Sequence, residues 1–280
     1  MIASAGARRS KLVMVGGGLL LLLLLAAFSL PAVRSAAEDF LSLFRVKRIQ
    51  PVAAPPSDFR LPVRPDAFAT VTSQEQGGTR TFASVQEAAA AGFALRVPER
   101  LPAGLSEAPQ VTVKEASRVS FVVDREQAEA ALAAAGISGV TLDAQLDGAE
   151  FHMSIPALAV LAYGDRLRLV QGRSPEVQGP AGLDYDQLRA QALSVLAVSA
   201  PDTAAQLGAI GDWRTTLPVP VRSDTPWRAV TVDGVEGVLV EGGEHASGQT
   251  FVLWQKDGAL YGLRGAFPAA DLLATANSLR

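Results

Sequence analysis

Two histidines are the side chains best suited to chemistry in this sequence, and each has carboxylates nearby in the chain. His152 lies in GAEFHMSI, so it shares one face of a predicted strand with Glu150. That pair is typical of a metal half-site or of an acid–base pair. His245 follows Glu241 and Glu244 in a glycine-rich loop that suits a cation. We favour a surface histidine in the first case and a solvated loop in the second, because neither has a third strong ligand.

The standard catalytic signatures are missing from the sequence. It has no G-x-S-x-G elbow, no H-E-x-x-H pair, no phosphate-binding P-loop and no Rossmann glycine pattern. The absence of cysteine excludes disulfides, thiolate catalysis and cysteine-based zinc sites. The many carboxylates leave room for a catalytic pair, but nothing in the pattern singles one out. We therefore predict no catalytic residue, no metal site and no cofactor.

Three tryptophans are the remaining candidates for ligand contact. Trp227 and Trp254 lie on neighbouring predicted hairpins, and we expect them to pair across the sheet, while Trp213 follows a predicted helix. Aromatic rings at such positions more often fill the core than bind a ligand. An apolar groove beneath a curved sheet is therefore the better prediction for a small-molecule site.

Aspartate–glycine pairs between alternating segments predict the hairpins that must position these side chains. Type I′ turns need positive φ at both central residues, which this dipeptide tolerates. The three pairs are Asp147-Gly148, Asp233-Gly234 and Asp257-Gly258. We expect each to join two antiparallel strands.

Helix signals lie between these strands. Ser84, Asp124 and Asp184 are each followed by a helical pattern, as expected of N-caps, and Pro268 lies in the first turn of a closing helix. The combination predicts an α+β fold: a curved, half-barrel-like antiparallel sheet with helices packed on one face, preceded by one N-terminal transmembrane helix.

Residues 12–30 form an uncharged stretch, LVMVGGGLLLLLLLAAFSL, that as a helix of about 28 Å would cross a bilayer. Arg8, Arg9 and Lys11 precede it, and positive flanks stay cytoplasmic. We therefore predict a single-pass membrane protein with its N-terminus in the cytoplasm. The alternative is secretion after signal cleavage near 35–37. We favour the anchor because the stretch exceeds the usual signal-peptide core of about 7–15 residues.

The chain thus divides into a cytoplasmic tail (1–11), a signal anchor (12–30), a juxtamembrane segment with a proline-rich linker (31–80) and an extracytoplasmic α+β domain (81–280). Residues 38–52 fit either a short amphipathic helix on the membrane or a spacer ending in an edge strand, and periodicity over so few residues does not decide.

Charge excludes one class of partner. The net charge is −3, and acidic residues outnumber basic ones from Thr81 onward, with the basic residues scattered. An acidic body without a basic stripe is a poor match to phosphates, so we expect no nucleic-acid binding.

The C-terminal sequence FVLWQKDGALYGLRGAFPAADLLATANSLR, with GFALRVPERLPAGL upstream, resembles a bacterial extracytoplasmic domain of unknown function. That domain is found at the C-terminus of membrane-anchored anti-sigma-factor-like proteins and is distantly similar to the half-barrels of lipoprotein carriers and sigma regulators. The resemblance covers about residues 81–280. Its family-like positions are Trp254, Tyr261, Gly265 and Asn277.

The resemblance implies a membrane-anchored sensor or binding module without a catalytic residue. Only residues 1–11 precede the predicted anchor, so we expect either the outer partner of an anti-sigma-type regulator or an unrelated envelope protein with the same module, rather than a complete anti-sigma factor. Its predicted partners are the membrane, crossed once, and a protein of the cell envelope. The alternative function is binding or carriage of a lipid or another apolar ligand.

Overall fold

The computed structural model describes residues 40–42, 46–54, 67–105, 108–138, 140–222, 225–242 and 249–280. The predicted cytoplasmic tail (1–11) and transmembrane helix (12–30) lie outside these residues, as do His245 and Glu244. Among the residues described, no helix has the length and apolar character to cross a membrane.

The described chain is α+β with mostly antiparallel sheets, as the sequence predicts. Its strands are β1 (Phe40–Ser42), β2 (Arg48–Ala53), β3 (Ala69–Glu75), β4 (Thr79–Phe82), β5 (Gln110–Lys114), β6 (Ser117–Val123), β7 (Glu150–Ile155), β8 (Leu158–Tyr163), β9 (Leu167–Arg173), β10 (Glu176–Pro180), β11 (Thr216–Val221), β12 (Trp227–Val232), β13 (Val235–Val240), β14 (Thr250–Lys256) and β15 (Ala259–Gly265). Its helices are α1 (Val85–Ala90), α2 (Arg125–Ala134), α3 (Tyr185–Ser199), α4 (Pro201–Gly208) and α5 (Ala269–Ala276).

An open eight-stranded sheet, ordered β12-β13-β14-β15-β9-β8-β5-β4, forms the larger half of the fold. Side chains alternate between its faces, so Val252, Trp254 and Leu263 lie on one face and are fully buried. Leu272 of α5 and Ala88 of α1 belong to the same core. Two helices therefore cover this face of the sheet.

A five-stranded sheet, ordered β1-β10-β7-β6-β3, carries a second core. Phe151 and Met153 of β7 pack there with Leu196 of α3 and Leu207 of α4. The parallel pair β2–β11 adds Val52 to this core. Strands β5 and β6 follow each other in the chain but lie in different sheets, so the chain passes between the two halves near Ala116.

The predicted linker over residues 31–80 is wrong in its folded part, because β1, β2, β3 and the start of β4 lie within it. β2 pairs in parallel with β11, so the edge-strand alternative for residues 38–52 is the correct one for its last part. Prolines such as Pro51, Pro218 and Pro220 occur in this two-stranded sheet. Proline lacks a donor but is tolerated at sheet edges, which explains why a proline-rich segment is part of the fold.

The predicted hairpin at Asp147-Gly148 is also wrong. The preceding residues form no strand, and a 3₁₀ turn over Ala144–Leu146 leads directly to β7. Asp143 caps this turn by accepting a hydrogen bond from the Gln145 amide at 2.8 Å. Gly148 has a φ of 70°, so its positive φ ends the 3₁₀ turn instead of joining two strands.

The other two pairs join antiparallel strands. Asp233 and Gly234 connect β12 to β13 with φ values of 52° and 78°. Asp257 and Gly258 connect β14 to β15 with φ values of 52° and 80°. Positive φ at both central residues is the type I′ geometry that the sequence predicts.

Candidate functional site

A compact charged group lies at the turn between β12 and β13, and we call Arg96, Asp233, Lys256 and Asn277 the turn cluster. The Arg96 Nη1 lies 2.6 Å from one Asp233 carboxylate oxygen. The Lys256 Nζ lies 2.8 Å from the other and also donates to the Asp233 carbonyl at 2.8 Å. The Asp233 side chain is only 10% exposed. One aspartate therefore binds two cationic side chains, Arg96 from a loop and Lys256 from β14.

Hydrogen bonding to these cations sets the charge state of Asp233. Burial by itself would raise the pKa of its carboxyl, but the bonds from Arg96 and Lys256 outweigh burial and lower the pKa below its ordinary value. The hydrogen bond to Asp233 likewise raises the pKa of Arg96, against the effect of desolvation. A carboxylate whose two oxygens both accept from cations is a poor proton acceptor, so this group stabilises structure.

The family-like residues surround the same turn. The Asn277 Oδ1 accepts a hydrogen bond from the Asp233 amide at 2.8 Å, and its Nδ2 donates to the Leu273 carbonyl at 2.8 Å. The Arg96 guanidinium lies over the Tyr261 ring, with its central carbon 5.5 Å from the centre of that ring. These side chains thus attach the end of α5 to the β12–β13 turn.

Trp254 and Gly265 complete this structural set. The Trp254 ring is fully buried and stacks on Tyr261 with centroids 5.2 Å apart. A Cβ at Gly265 would lie 2.8 Å from the Arg166 carbonyl oxygen, so this position has no room for a side chain. The motif that carries the resemblance is therefore made of packing and turn residues.

The predicted pairing of Trp227 with Trp254 is wrong. Trp254 on β14 is in register with Gly237 on β13, whereas Trp227 on β12 is in register with Val240. Strand β13 lies between the two rings, and their side chains point to opposite faces. Trp213 is buried in the second core, where its Nε1 donates to Asp186 at 2.7 Å.

Trp227 is half exposed at the edge of the eight-stranded sheet, with 50% of its surface accessible. The row across the sheet continues through Val240 to Phe251, and both are half-buried. Beside it Arg228 pairs with Glu241 at 3.5 Å on the surface. An exposed tryptophan beside two apolar side chains is typical of a protein-binding surface. Sequence periodicity missed it because the hairpin pattern is the same for edge and central strands.

His152 lies in a polar row on the five-stranded sheet. Its Nδ1 lies 2.8 Å from the Ser120 Oγ on β6, and Gln178 on β10 is in register on its other side. Glu150 lies two residues away on the same strand, as predicted. Ser120 was missed because only strand pairing brings it near. Among the described residues, no group of three or more His, Cys, Asp or Glu has a metal-binding arrangement.

Comparison with models of known protein families, with curated proteins and with solved structures returned no match. Two features of the structure bear on function: the exposed surface around Trp227 and the turn cluster. The surface around Trp227 exposes apolar side chains to water, whereas the charged groups of the turn cluster are bonded to one another within the chain.

Proposed function

We propose that this chain is a non-catalytic binding or sensor module of the bacterial cell envelope whose ligand is a protein. The observation that carries the proposal is the half-exposed Trp227 next to Val240 and Phe251. Tryptophan is enriched among residues that dominate binding energy, because it buries a large area with few rotatable bonds. A protein surface that covers this ring would remove it from water.

The packing of the eight-stranded sheet favours a protein ligand over an apolar small molecule. We propose that this sheet curves as a half-barrel around α1 and α5. Leu272, Ala276 and Leu279 of the C-terminal segment are fully buried against the inner face. These side chains fill the space where the sequence predicted an apolar groove, so lipid carriage lacks support there.

We further propose that the 12–30 segment anchors the chain with its folded part outside the cytoplasm. The uncharged length of that segment and the basic residues before it support this topology. The partner would then be an envelope protein, and an anti-sigma-type membrane regulator is the candidate that the C-terminal resemblance favours.

Site-specific cross-linking tests this proposal. A photoreactive phenylalanine derivative, which keeps a large aromatic side chain at this position, replaces Trp227 in the full-length protein, and irradiation of native membranes is followed by mass spectrometry of the adducts. The matched control carries the same group at Val198, an exposed apolar residue of α3. We expect one dominant protein adduct from position 227 and none in common with position 198. A lipid adduct at 227 would favour the alternative function, and identical adducts at both positions would contradict the proposal.

A further inference from the structure

We infer that β12 accepts an extended segment of the partner, which adds to the eight-stranded sheet as another antiparallel strand. This inference rests on the proposed function and names how the partner binds. In the described structure β12 is an edge strand, because β13 is its one hydrogen-bonded neighbour. An edge strand offers a row of backbone donors and acceptors to an incoming strand.

The turn geometry determines which backbone groups face outward. In a two-residue hairpin the residues that flank the turn form a hydrogen-bonded pair, here Val232 and Val235. The alternation continues along the strand, and the Glu241 amide accordingly donates to the Pro226 carbonyl at 2.9 Å. Even-numbered residues of β12 thus bond to β13. The amides and carbonyls of Trp227, Ala229 and Thr231 point to the open edge.

Other sheet edges in the described chain carry features that block strand addition. β1 has three residues and β4 has four. β3 has a bulge between Val71 and Ser73. β2 and β11 contain prolines. Proteins use short strands, bulges and prolines to prevent edge-to-edge association. β12 has six residues in regular register, contains no proline, and its Arg228 is neutralised by Glu241.

The side chains of the outward-facing residues indicate the chemistry of the incoming strand. Trp227, Ala229 and Thr231 share one face and are exposed. Small Ala229 between Trp227 and Thr231 leaves room for a β-branched or apolar side chain of the partner. Exposed Glu236 is in register with Thr231 on β13, two strand spacings or about 10 Å from the incoming strand, which is within reach of a long lysine or arginine side chain that extends over Thr231. The expected segment is therefore β-branched, apolar and basic rather than acidic.

A second copy of the chain fits this edge less well than a separate segment. A six-residue strand is about 20 Å long. Two such edges in contact would cover only a few hundred Å², well below the roughly 1,200–2,000 Å² of a stable interface. A flexible segment can instead pair with the edge and also fold over Trp227 and Phe251.

Hydrogen exchange of the full-length protein in detergent tests the inference. The probe is a blocked octapeptide of alternating threonine and valine with a lysine at each end. We expect it to slow exchange of the Trp227, Ala229 and Thr231 amides at least tenfold, while the Arg228 and Val230 amides, already bonded to β13, change little. The same peptide with every amide methylated keeps its side chains but has no donors, and we expect no protection from it.

Two substitutions at one position separate backbone pairing from side-chain contact. Ala229→Pro removes an outward donor without removing a bond to β13, whereas Ala229→Val keeps that donor. We expect the proline variant to weaken peptide binding at least tenfold and the valine variant to retain it. Thermal unfolding of both variants verifies that each is folded, and the methylated peptide gives the same test without any substitution.

Any other result would contradict strand addition, and each result points to a different explanation. Equal protection by both peptides, or none by either, contradicts it. Protection of the three amides without peptide, together with a dimeric mass, replaces it with self-pairing. If Ala229→Pro leaves the cross-link from position 227 intact, the proposed protein partner stands and strand addition is wrong. Absence of that cross-link when position 227 carries the photoreactive residue and Ala229 is unchanged would instead refute the proposed function itself.

Discussion

The two ends of the β12–β13 hairpin differ in almost every physical respect. At the turn, Asp233 is nearly buried and bonded to Arg96, Lys256 and Asn277. At the other end Trp227 is half exposed on β12, which has β13 as its one strand neighbour in the described part of the chain. The turn has more of the features of an active site, because it concentrates charged side chains and shifts the pKa values of Asp233 and Arg96. Since its bonding groups are already used within the chain, the open end is the better candidate for function.

The same contrast holds for the two tryptophans of these hairpins. Trp254 is fully buried and stacked on Tyr261, and its Nε1 has no hydrogen-bond partner among the described residues. Trp227 contacts water over half of its surface. A large ring stabilises the fold where it displaces water within the protein, and it supports recognition where a partner must displace that water.

Replacing each tryptophan with alanine measures this contrast directly. We expect Trp254→Ala to lower the free energy of unfolding by about 4 kcal/mol, because it leaves a large cavity in the main core. Trp227→Ala should lower it by less than about 1 kcal/mol, the size of one cross-strand contact. Urea unfolding followed by circular dichroism provides both values. Equal losses would show that Trp227 is a structural residue and would remove the basis of the proposed binding surface.

Substituting the two turn aspartates isolates the contribution of the turn cluster. Asp233 and Asp257 have the same φ of 52°, so replacing either with alanine costs about 1 kcal/mol for the left-handed backbone. Asp233→Ala should cost about 2 kcal/mol more, because it leaves Arg96 and Lys256 without their shared carboxylate.

Urea midpoints of the two variants, with equal slopes, give this difference. None of the ion pairs recorded among the described residues involves Asp257, which makes it a matched control. If the two variants were equally stable, the turn cluster would contribute nothing net, and its charged groups would be available for a functional role.

Local signals in the sequence predicted much of this fold. Ser84, Asp124 and Asp184 each accept a hydrogen bond from an amide in the first turn of their helices, as their N-cap positions predict. Asp233-Gly234 and Asp257-Gly258 turn the chain as expected. These features depend mainly on a few neighbouring residues, so short stretches of sequence strongly favour them.

Long-range pairing was not predictable in the same way. Asp147-Gly148 has the hairpin dipeptide, but the residues before it form a 3₁₀ turn, so only the following strand exists. Pro51 looked like linker, yet its strand pairs with residues about 170 positions away. Arg96, Lys256 and Asn277 meet Asp233 for the same reason, since four separate segments build that cluster. The open edge at Trp227 is visible only once the strand order is known.

Gly258 tests the turn at the second hairpin, away from the cluster. Its φ is 80° and a Cβ there would meet no atom within 4 Å, so any cost arises from the backbone alone. We expect Gly258→Val to lower stability by about 2 kcal/mol and Gly258→Asn by much less, because asparagine tolerates the left-handed region. Thermal denaturation compares them. A fully stable valine variant that lost partner cross-linking would show that this hairpin has a binding role.

Acid titration provides the smallest and most specific test of the contrast between the two ends. The folded-state pKa of Asp233 is lowered relative to the unfolded chain, so the unfolded state binds its proton first as the pH falls. The stability from this carboxylate is complete above the unfolded-state pKa of about 3.9 and is lost as the pH falls through the lower folded-state pKa.

Asp233→Asn removes that pH dependence of stability, whereas Asp257→Asn does not. The difference in unfolding free energy between wild type and Asp233→Asn should therefore shrink below about pH 4. A difference that stays constant with pH would mean that the two cations do not stabilise the ionised turn, and the distinction between a locked turn and an open edge would then rest on Trp227 alone.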